Sequence, residues 1–346
     1  MTKPLNVALI GFHFGHQLDY GRKLADHPGT RLVAVAASPD APRDERYEQG
    51  VELAKHFDVP HHDDAFSMLQ SCRIDAVSIA VAPHLNAELV CACASNRIHV
   101  MCEKPVADNE IGFQRIVHAV KDAGVQFTFA APATVFSSAF SAARERILDG
   151  AIGQPRAGHF QYLQPRGPQY TLSRDQAKER GRAELANFGP YGLLAFLTLF
   201  REPITSVFAR MGAQFYKHYR DAGVEDLATL SLKLRGGGVG SIVVGRTTTQ
   251  TLPETDCRMQ IIGSEGVLNI EHGLGYGVDV YANDRHYRKV FDRETNELFV
   301  EDFIQAIAEK RPPIIGLNEA IGVFHAMEAA YHCRESRQPV VLDDEN

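Results

Sequence analysis

The chain has 346 residues, 45% hydrophobic and 23% charged, with a net charge of −7, too long for a single core and balanced like a globular protein. The acidic balance argues against nucleic acid and anionic membranes as partners. No apolar run reaches the roughly 18 residues of a membrane helix, no signal peptide precedes the first strand, and six scattered cysteines form no CxxC pair, so a cytoplasmic protein with buried thiols is expected.

The first third alternates between strand and helix periodicity. "LNVALIG" is a short apolar strand, "GHQLDYGRKLADH" an amphipathic helix and "TRLVAVAAS" a second strand. "RYEQGVELAKHFD", "AVSIAV", "LNAELVCACASN", "IHVMCE", "NEIGFQRIVHAVKDAG" and "QFTFAAP" continue the alternation. Such βαβ repetition predicts an α/β Rossmann domain, a doubly wound parallel sheet, over residues 1–130. From 131 to 346 the pattern changes. Helices are predicted in "AFSAARERILDGAIG" and "GPYGLLAFLTLF", then strands in "ITSVFARM", "LATLSLKLR", "VGSIVVGRTT", "DCRMQIIGS", "GVLNIE" and "GVDVYA". Two closing helices complete an α+β domain on a large, mostly antiparallel open-faced sheet, with residues 163–183 irregular and a hairpin at "LRGGGVGSIVV".

Between the first strand and helix, "GFHFGH" has the layout of a dinucleotide-binding turn with one substitution. Gly11 supplies the turn, His13 stands at the second fingerprint position, and Gly15 falls one place before the third. Phe12, His13, Phe14 and Gly15 are therefore candidate cofactor contacts, with the His13 imidazole able to donate to a phosphate. The helix that follows has no strong cap, which leaves its amides to a ligand. At the end of the second strand, where an acidic residue would grip the ribose of NAD, stand Ala37 and Ser38. Neutral groups there leave room for a 2′-phosphate that Ser38 and Arg43 can contact. NAD(P) is thus the expected cofactor, with NADP favoured; Asp40 reaching the ribose would favour NAD.

The fourth predicted strand runs into "HVMCEKPVADNE". Glu103-Lys104-Pro105 in this position, after a βαβ array and before an α+β half, resembles the signature of the Gfo/Idh/MocA family, named for glucose–fructose oxidoreductase and inositol dehydrogenase. The likeness extends through "ILDGAIGQP", "VEDLATLSLKLRGGGVGSI", "MQIIGSEGVLNIE" and "EAAYHCRESRQPVVL", covering nearly the whole chain. The resemblance implies that Lys104 touches the substrate hydroxyl and the nicotinamide ribose, with the Lys104–Pro105 bond cis. It also places Ala82, Pro83 and Asn86 at the exit of the third strand, where Thr-Pro and a later His are common, and Val135 where an arginine often precedes Phe136. In the second domain "NFGPYGLL" resembles the family's Asp-x-Gly-x-His/Tyr element, as Asn187, Gly189 and Tyr191. Tyr191 is then the acid/base, as in the tyrosine branches of the family. Asn187 departs from the family's Asp, and a neutral amide beside a phenol avoids the rise in pKa that a carboxylate would cause.

These residues imply an NAD(P)-dependent oxidoreductase acting on a secondary alcohol of a sugar or polyol. Lys104 would polarise the oxygen and Tyr191 take the proton, its pKa (ordinarily ~10) lowered by the Lys104 ammonium. Arg166, Tyr170, Arg174 and Arg182 are further candidate substrate contacts, from the irregular stretch. A rival is a non-catalytic nucleotide-binding sensor of the same fold, favoured by the altered loop and Asn187 and opposed by Lys104 with Tyr191. No metal is expected, since "HHDD" at 61–64 reads as a solvated loop and Cys91 and Cys93 lie on different helix faces. No GxSxG elbow is present. Association into a homodimer or homotetramer through the second sheet is expected.

Overall fold

The computed structural model describes residues 3–39, 42–130, 133–170, 182–249, 255–273, 276–291 and 297–342. Contacts in space divide it into two compact units, Met1–Ala131 with Asn296–Ala320, and Pro132–Thr295 with Ile321–Asn346.

In the first unit β1 (Leu5–Ile10), α1 (His16–Asp26), β2 (Thr30–Ala36), α2 (Glu45–His56), β3 (His61–His62) and α3 (Ala65–Ser71) are followed by β4 (Ala76–Ile79) and α4 (Pro83–Ser95). Next come β5 (His99–Glu103), α5 (Glu110–Ala123) and β6 (Phe127–Ala130). The strands form one parallel sheet in the order β3-β2-β1-β4-β5-β6. Order reverses between β1 and β4, and a ligand crevice opens at the carboxyl ends of strands flanking such a reversal. All four residues of β4 are buried, as an inner strand with helices on both faces requires. "HHDD" differs from the expected loop: His61 and His62 pair with Val35 and Ala36 and are half-buried, and Asp64 caps α3. Aspartate at that position satisfies orphan helix amides, so its charge belongs to the helix end.

His99, at the start of β5, accepts a hydrogen bond from the Gln126 amide at 2.8 Å. Burial holds its pKa below the ordinary histidine value, against the opposing charge of Asp75. The unfolded chain therefore takes up this proton first as pH falls. The stability contributed by neutral His99 is complete above the unfolded value of about 6.5 and declines below it, toward the depressed folded pKa. His99→Gln should accordingly reduce the fall in melting temperature between about pH 7.5 and about pH 5.5. An unchanged fall would show that His99 carries no part of the acid sensitivity.

The second unit begins with α6 (Ser138–Leu148) and β7 (Pro155–Pro165), then α7 (Glu184–Phe200), β8 (Ile204–Gly212), α8 (Lys217–Asp221), β9 (Leu227–Leu234) and β10 (Val239–Thr247). It continues with β11 (Asp256–Gly263), β12 (Gly266–His272), β13 (Tyr276–Ala282) and β14 (Arg285–Val290). After α9 (Glu297–Glu309) and α10 (Leu317–Ser336), β15 (Val340–Val341) closes the sheet. The nine strands run β14-β13-β12-β11-β7-β10-β9-β8-β15, antiparallel except for the parallel pair β7–β10. β7 is thus central, although the sequence marks no strand there. Buried and exposed residues alternate along β9, so one face carries the core and the other faces outward. α7 lies on the core face: a Cβ at Gly240 would come within 2.5 Å of the Phe196 ring.

The segment Asn296–Ala320, which the sequence alone places in the second domain, groups with the first unit. Phe299 of α9 packs on Tyr20 at 5.5 Å, and Glu301 pairs with His27 at 2.6 Å. Among the described residues no helix is long and apolar enough to cross a membrane.

Candidate active site

β1 ends at Ile10, and the chain turns at Gly11 in the left-handed region, with φ +71°. A Cβ at Gly11 would lie 2.6 Å from Val81 Cγ1 and 2.8 Å from the Ala80 carbonyl oxygen, so only glycine fits both the torsion and the space. The Gly11 amide donates to the Ala36 carbonyl and the His13 amide to the Ala80 carbonyl, at 2.9 and 2.8 Å. The loop is thereby tied to the ends of β2 and β4. Phe12 turns inward and packs near Gly50 of α2, so its ring serves the core. Phe14 stands edge-on to the His13 ring at 4.7 Å. Gly15 caps α1 with no side-chain hydrogen bond, and a Cβ there would meet no protein atom within 4 Å.

A brace unforeseen in the sequence holds this helix end. Buried Gln17 donates from Nε2 to the Ser78 carbonyl at 3.0 Å, and its Oε1 accepts from Ser78 Oγ at 2.7 Å. A second unforeseen residue is Arg46 of α2, whose Nη1 lies 3.1 Å from His13 Nδ1. A guanidinium only donates, so Nδ1 must accept, and the neutral imidazole carries its proton on Nε2. At the end of β2 the Ala37 side chain is buried and its amide donates to the His62 carbonyl at 2.9 Å, while Ser38 is half-exposed. Arg43 pairs with Asp63 at 2.9 Å and lies over the Tyr47 ring at 4.9 Å. Asp40 lies outside the described residues.

At the end of β5, Glu103 and Lys104 are 3% and 6% exposed, and the Lys104–Pro105 peptide is cis, the isomer the resemblance implies. Glu103 Oε1 lies 3.3 Å from Nδ1 of His16, the first residue of α1, and Oε2 has no hydrogen-bond partner among the described residues. Asn86 is 1% exposed; its Nδ2 donates to the Pro105 carbonyl at 3.0 Å, and its Oδ1 likewise has no partner. Pro83 occupies the first turn of α4, which Ala82 precedes without a side-chain cap. Buried acceptors without donors are costly unless a ligand satisfies them. A dinucleotide fits this unit: phosphates at the uncapped α1 end, and hydroxyl or carboxamide donors for Glu103 and Asn86.

In the second unit α7 begins at Glu184, one turn ahead of the element read from the sequence. Glu184, Asn187, Phe188 and Tyr191 therefore share one helix face. Tyr191 is buried, with the ring of Tyr162 edge-on at 4.7 Å and that of Phe188 at 5.9 Å. Burial raises the Tyr162 phenol above its ordinary pKa, which suits it to donate a hydrogen bond and not to accept a proton. Asn187 Nδ2 donates to Glu184 Oε2 at 3.3 Å. Glu184 and Arg246 of β10 form a buried ion pair at 2.6 Å. The Arg246 guanidinium lies 4.7 Å from the centre of the Tyr170 ring and 5.1 Å from that of Phe188.

The other candidates divide. Tyr170 stacks in this cluster, whereas exposed Arg166 donates to the Gln164 side chain at 3.0 Å. Arg182 pairs with Glu328 through both terminal nitrogens and lies over Tyr331 at 4.4 Å, so its charge is committed to the fold. Arg174 lies outside the described residues.

Residues 5–131 match an oxidoreductase family with an NAD-binding Rossmann fold, and residues 140–269 match the GFO/IDH/MocA C-terminal domain. The chain belongs to the Gfo/Idh/MocA family. Membership makes it an NAD-binding oxidoreductase and accounts for both sheets in their order. Over 318 residues, 88% of this chain and 89% of the relative, it is 24% identical to a myo-inositol 2-dehydrogenase of Thermotoga maritima. It is 25% identical to a trans-1,2-dihydrobenzene-1,2-diol dehydrogenase of Xenopus laevis, over 74% of this chain and 71% of the relative. An Agrobacterium radiobacter oxidoreductase solved with NAD+, L-tartaric acid and magnesium superposes with a TM-score of 0.82 at 17% identity, over 98% of each chain. His13 in the glycine loop and Asn187 are among the positions where the sequence departs from the family motifs it resembles.

Proposed function

We propose that this Gfo/Idh/MocA oxidoreductase oxidises a secondary alcohol of a sugar or polyol, or reduces the corresponding ketone, in the cytoplasm. The observation that carries the reading is the pair of orphaned buried acceptors, Glu103 Oε2 and Asn86 Oδ1, beside buried Lys104. When bound, nicotinamide accepts or gives the hydride. Everything else falls to the chain. Lys104 holds a cation against the substrate oxygen and stabilises the alkoxide character that develops there. Tyr191 accepts the hydroxyl proton in oxidation and returns it in reduction. Asn187 and Tyr170 orient the substrate hydroxyls. The inositol and dihydrodiol dehydrogenases among the relatives support this substrate class.

For the cofactor we favour NADP. Ala37 and Ser38 present no carboxylate to a 2′-phosphate, and Arg43 and Arg46 place two cations on the neighbouring surface. His13, with its proton on Nε2, donates to the pyrophosphate. Copies of the chain associate through the exposed sheet face, where His159, Arg258 and Gln260 alternate with the core residues; sedimentation of a monomer alone would contradict this.

The test is turnover of a panel of polyols and aldoses with NAD+ and NADP+, read by the absorbance of the reduced nicotinamide. Reduction with at least one polyol is expected. No reduction by any secondary alcohol, in protein shown to bind the cofactor, would contradict the reading.

A further inference from the structure

We infer that Glu184 is a positioning residue, which fixes the Asn187 amide so that Asn187 offers its carbonyl oxygen to the substrate. The inference rests on the oxidoreductase reading above and deepens it. Glu184 is 2% exposed and receives three donors. Tyr219 Oη and Arg246 Nε both donate to Oε1, the latter at 2.6 Å, and Asn187 Nδ2 donates to Oε2 at 3.3 Å. Burial and the Glu184 charge raise the pKa of the Tyr219 phenol, so Tyr219 keeps its proton and donates. Arg246 is held in turn by the Gln164 side chain and by the flanking Tyr170 and Phe188 rings.

A carboxylate paired with a guanidinium only accepts, so the end of the amide that faces Glu184 must be the NH₂ group. The reversed amide would set two acceptors against each other and lose a hydrogen bond. The Asn187 oxygen is thus directed away from Glu184, on the helix face that also carries Tyr191 one turn later. Arg246 neutralises the carboxylate, so its charge is kept from the Tyr191 phenol. Glu184 acts only through Asn187.

The experiment uses the full chain labelled with [15N]asparagine, with Asn187→Ala identifying the side-chain signal. In the parent the Asn187 NH₂ protons exchange slowly with water, because one donates to a buried carboxylate. The double variant Glu184→Leu/Arg246→Met removes both charges together and avoids stranding one of them. It should exchange these protons about tenfold faster and lose about tenfold in kcat, the worth of one positioned hydrogen bond, with NADPH affinity unchanged. Equal exchange in parent and variant would overturn the inference.

Should the double variant fail to melt cooperatively, Asn187→Asp decides. That carboxyl faces Glu184 and has to be protonated to replace the amide as a donor. Turnover should therefore be about tenfold low at neutral pH and recover as pH falls; a pH profile parallel to the parent's would overturn the inference. A parent that oxidises no polyol contradicts the oxidoreductase reading, and proton exchange still decides the role of Glu184.

Discussion

Tyr191→Phe should lower kcat by about three orders of magnitude, and Lys104→Met by at least as much, with both variants still binding the nicotinamide cofactor. Proton transfer by a positioned side chain contributes roughly 10²–10⁴-fold, and loss of the phenol removes the acceptor outright. Methionine keeps the bulk of lysine but carries no charge to stabilise a developing alkoxide. Neither residue lies in the Gly11–Gly15 loop proposed to hold the phosphates. Tyr191 packs its ring against Tyr162 and Phe188, contacts that phenylalanine preserves, so the variant should fold. Kinetics beside a cofactor titration separates the outcomes. Turnover within threefold of the parent in Tyr191→Phe would remove Tyr191 from the mechanism, and the same result in Lys104→Met would remove Lys104.

The second large effect is expected at Gly11. Alanine there must adopt φ +71° and meet both Val81 and the Ala80 carbonyl below 3 Å. Backbone oxygen cannot move aside as a flexible side chain can, so the loop itself must shift. Cofactor affinity should fall about a hundredfold, equivalent to about 2.7 kcal/mol, and the melting temperature should fall with it. Gly15→Ala is the control. A Cβ at Gly15 meets no protein atom, so its melting temperature should equal the parent's. A Gly11→Ala protein that binds NADPH as tightly as the parent would show that the loop does not carry the phosphates.

Residues that act through local chemistry were the readable ones. The βαβ alternation, the turn at Gly11, the uncapped α1 and the EKP tripeptide each follow from short-range pattern, and the structure has all four. β7 was not readable, because only Phe160 in it is fully buried and the remaining residues give no clean apolar face. β14 has no buried residue, so its pairing with β13 is set by the partner and not by burial. The start of α7 leaves no mark in the sequence because Ala183 offers no capping side chain. Glu184 and Arg246 lie 62 residues apart and meet only across the fold, so no spacing rule could join them. The one hint was a lone charge in each of two apolar stretches, "ELANFGPYGLL" and "SIVVGRTT". Likewise Gln17 is a polar residue of an amphipathic helix, and only Ser78, a polar residue in a buried strand, accounts for its burial.

The most direct measurement is a parallel titration of the parent and Arg46→Ala with NADPH and NADH, read by nicotinamide fluorescence in a chain that contains no tryptophan. The parent should bind saturably, NADPH more tightly than NADH. Arg46→Ala should lose more affinity for NADPH than for NADH, since it removes a cation near the 2′-phosphate as well as the partner of His13. Absence of saturable binding to either nucleotide would contradict the cofactor loop, and with it the oxidoreductase account.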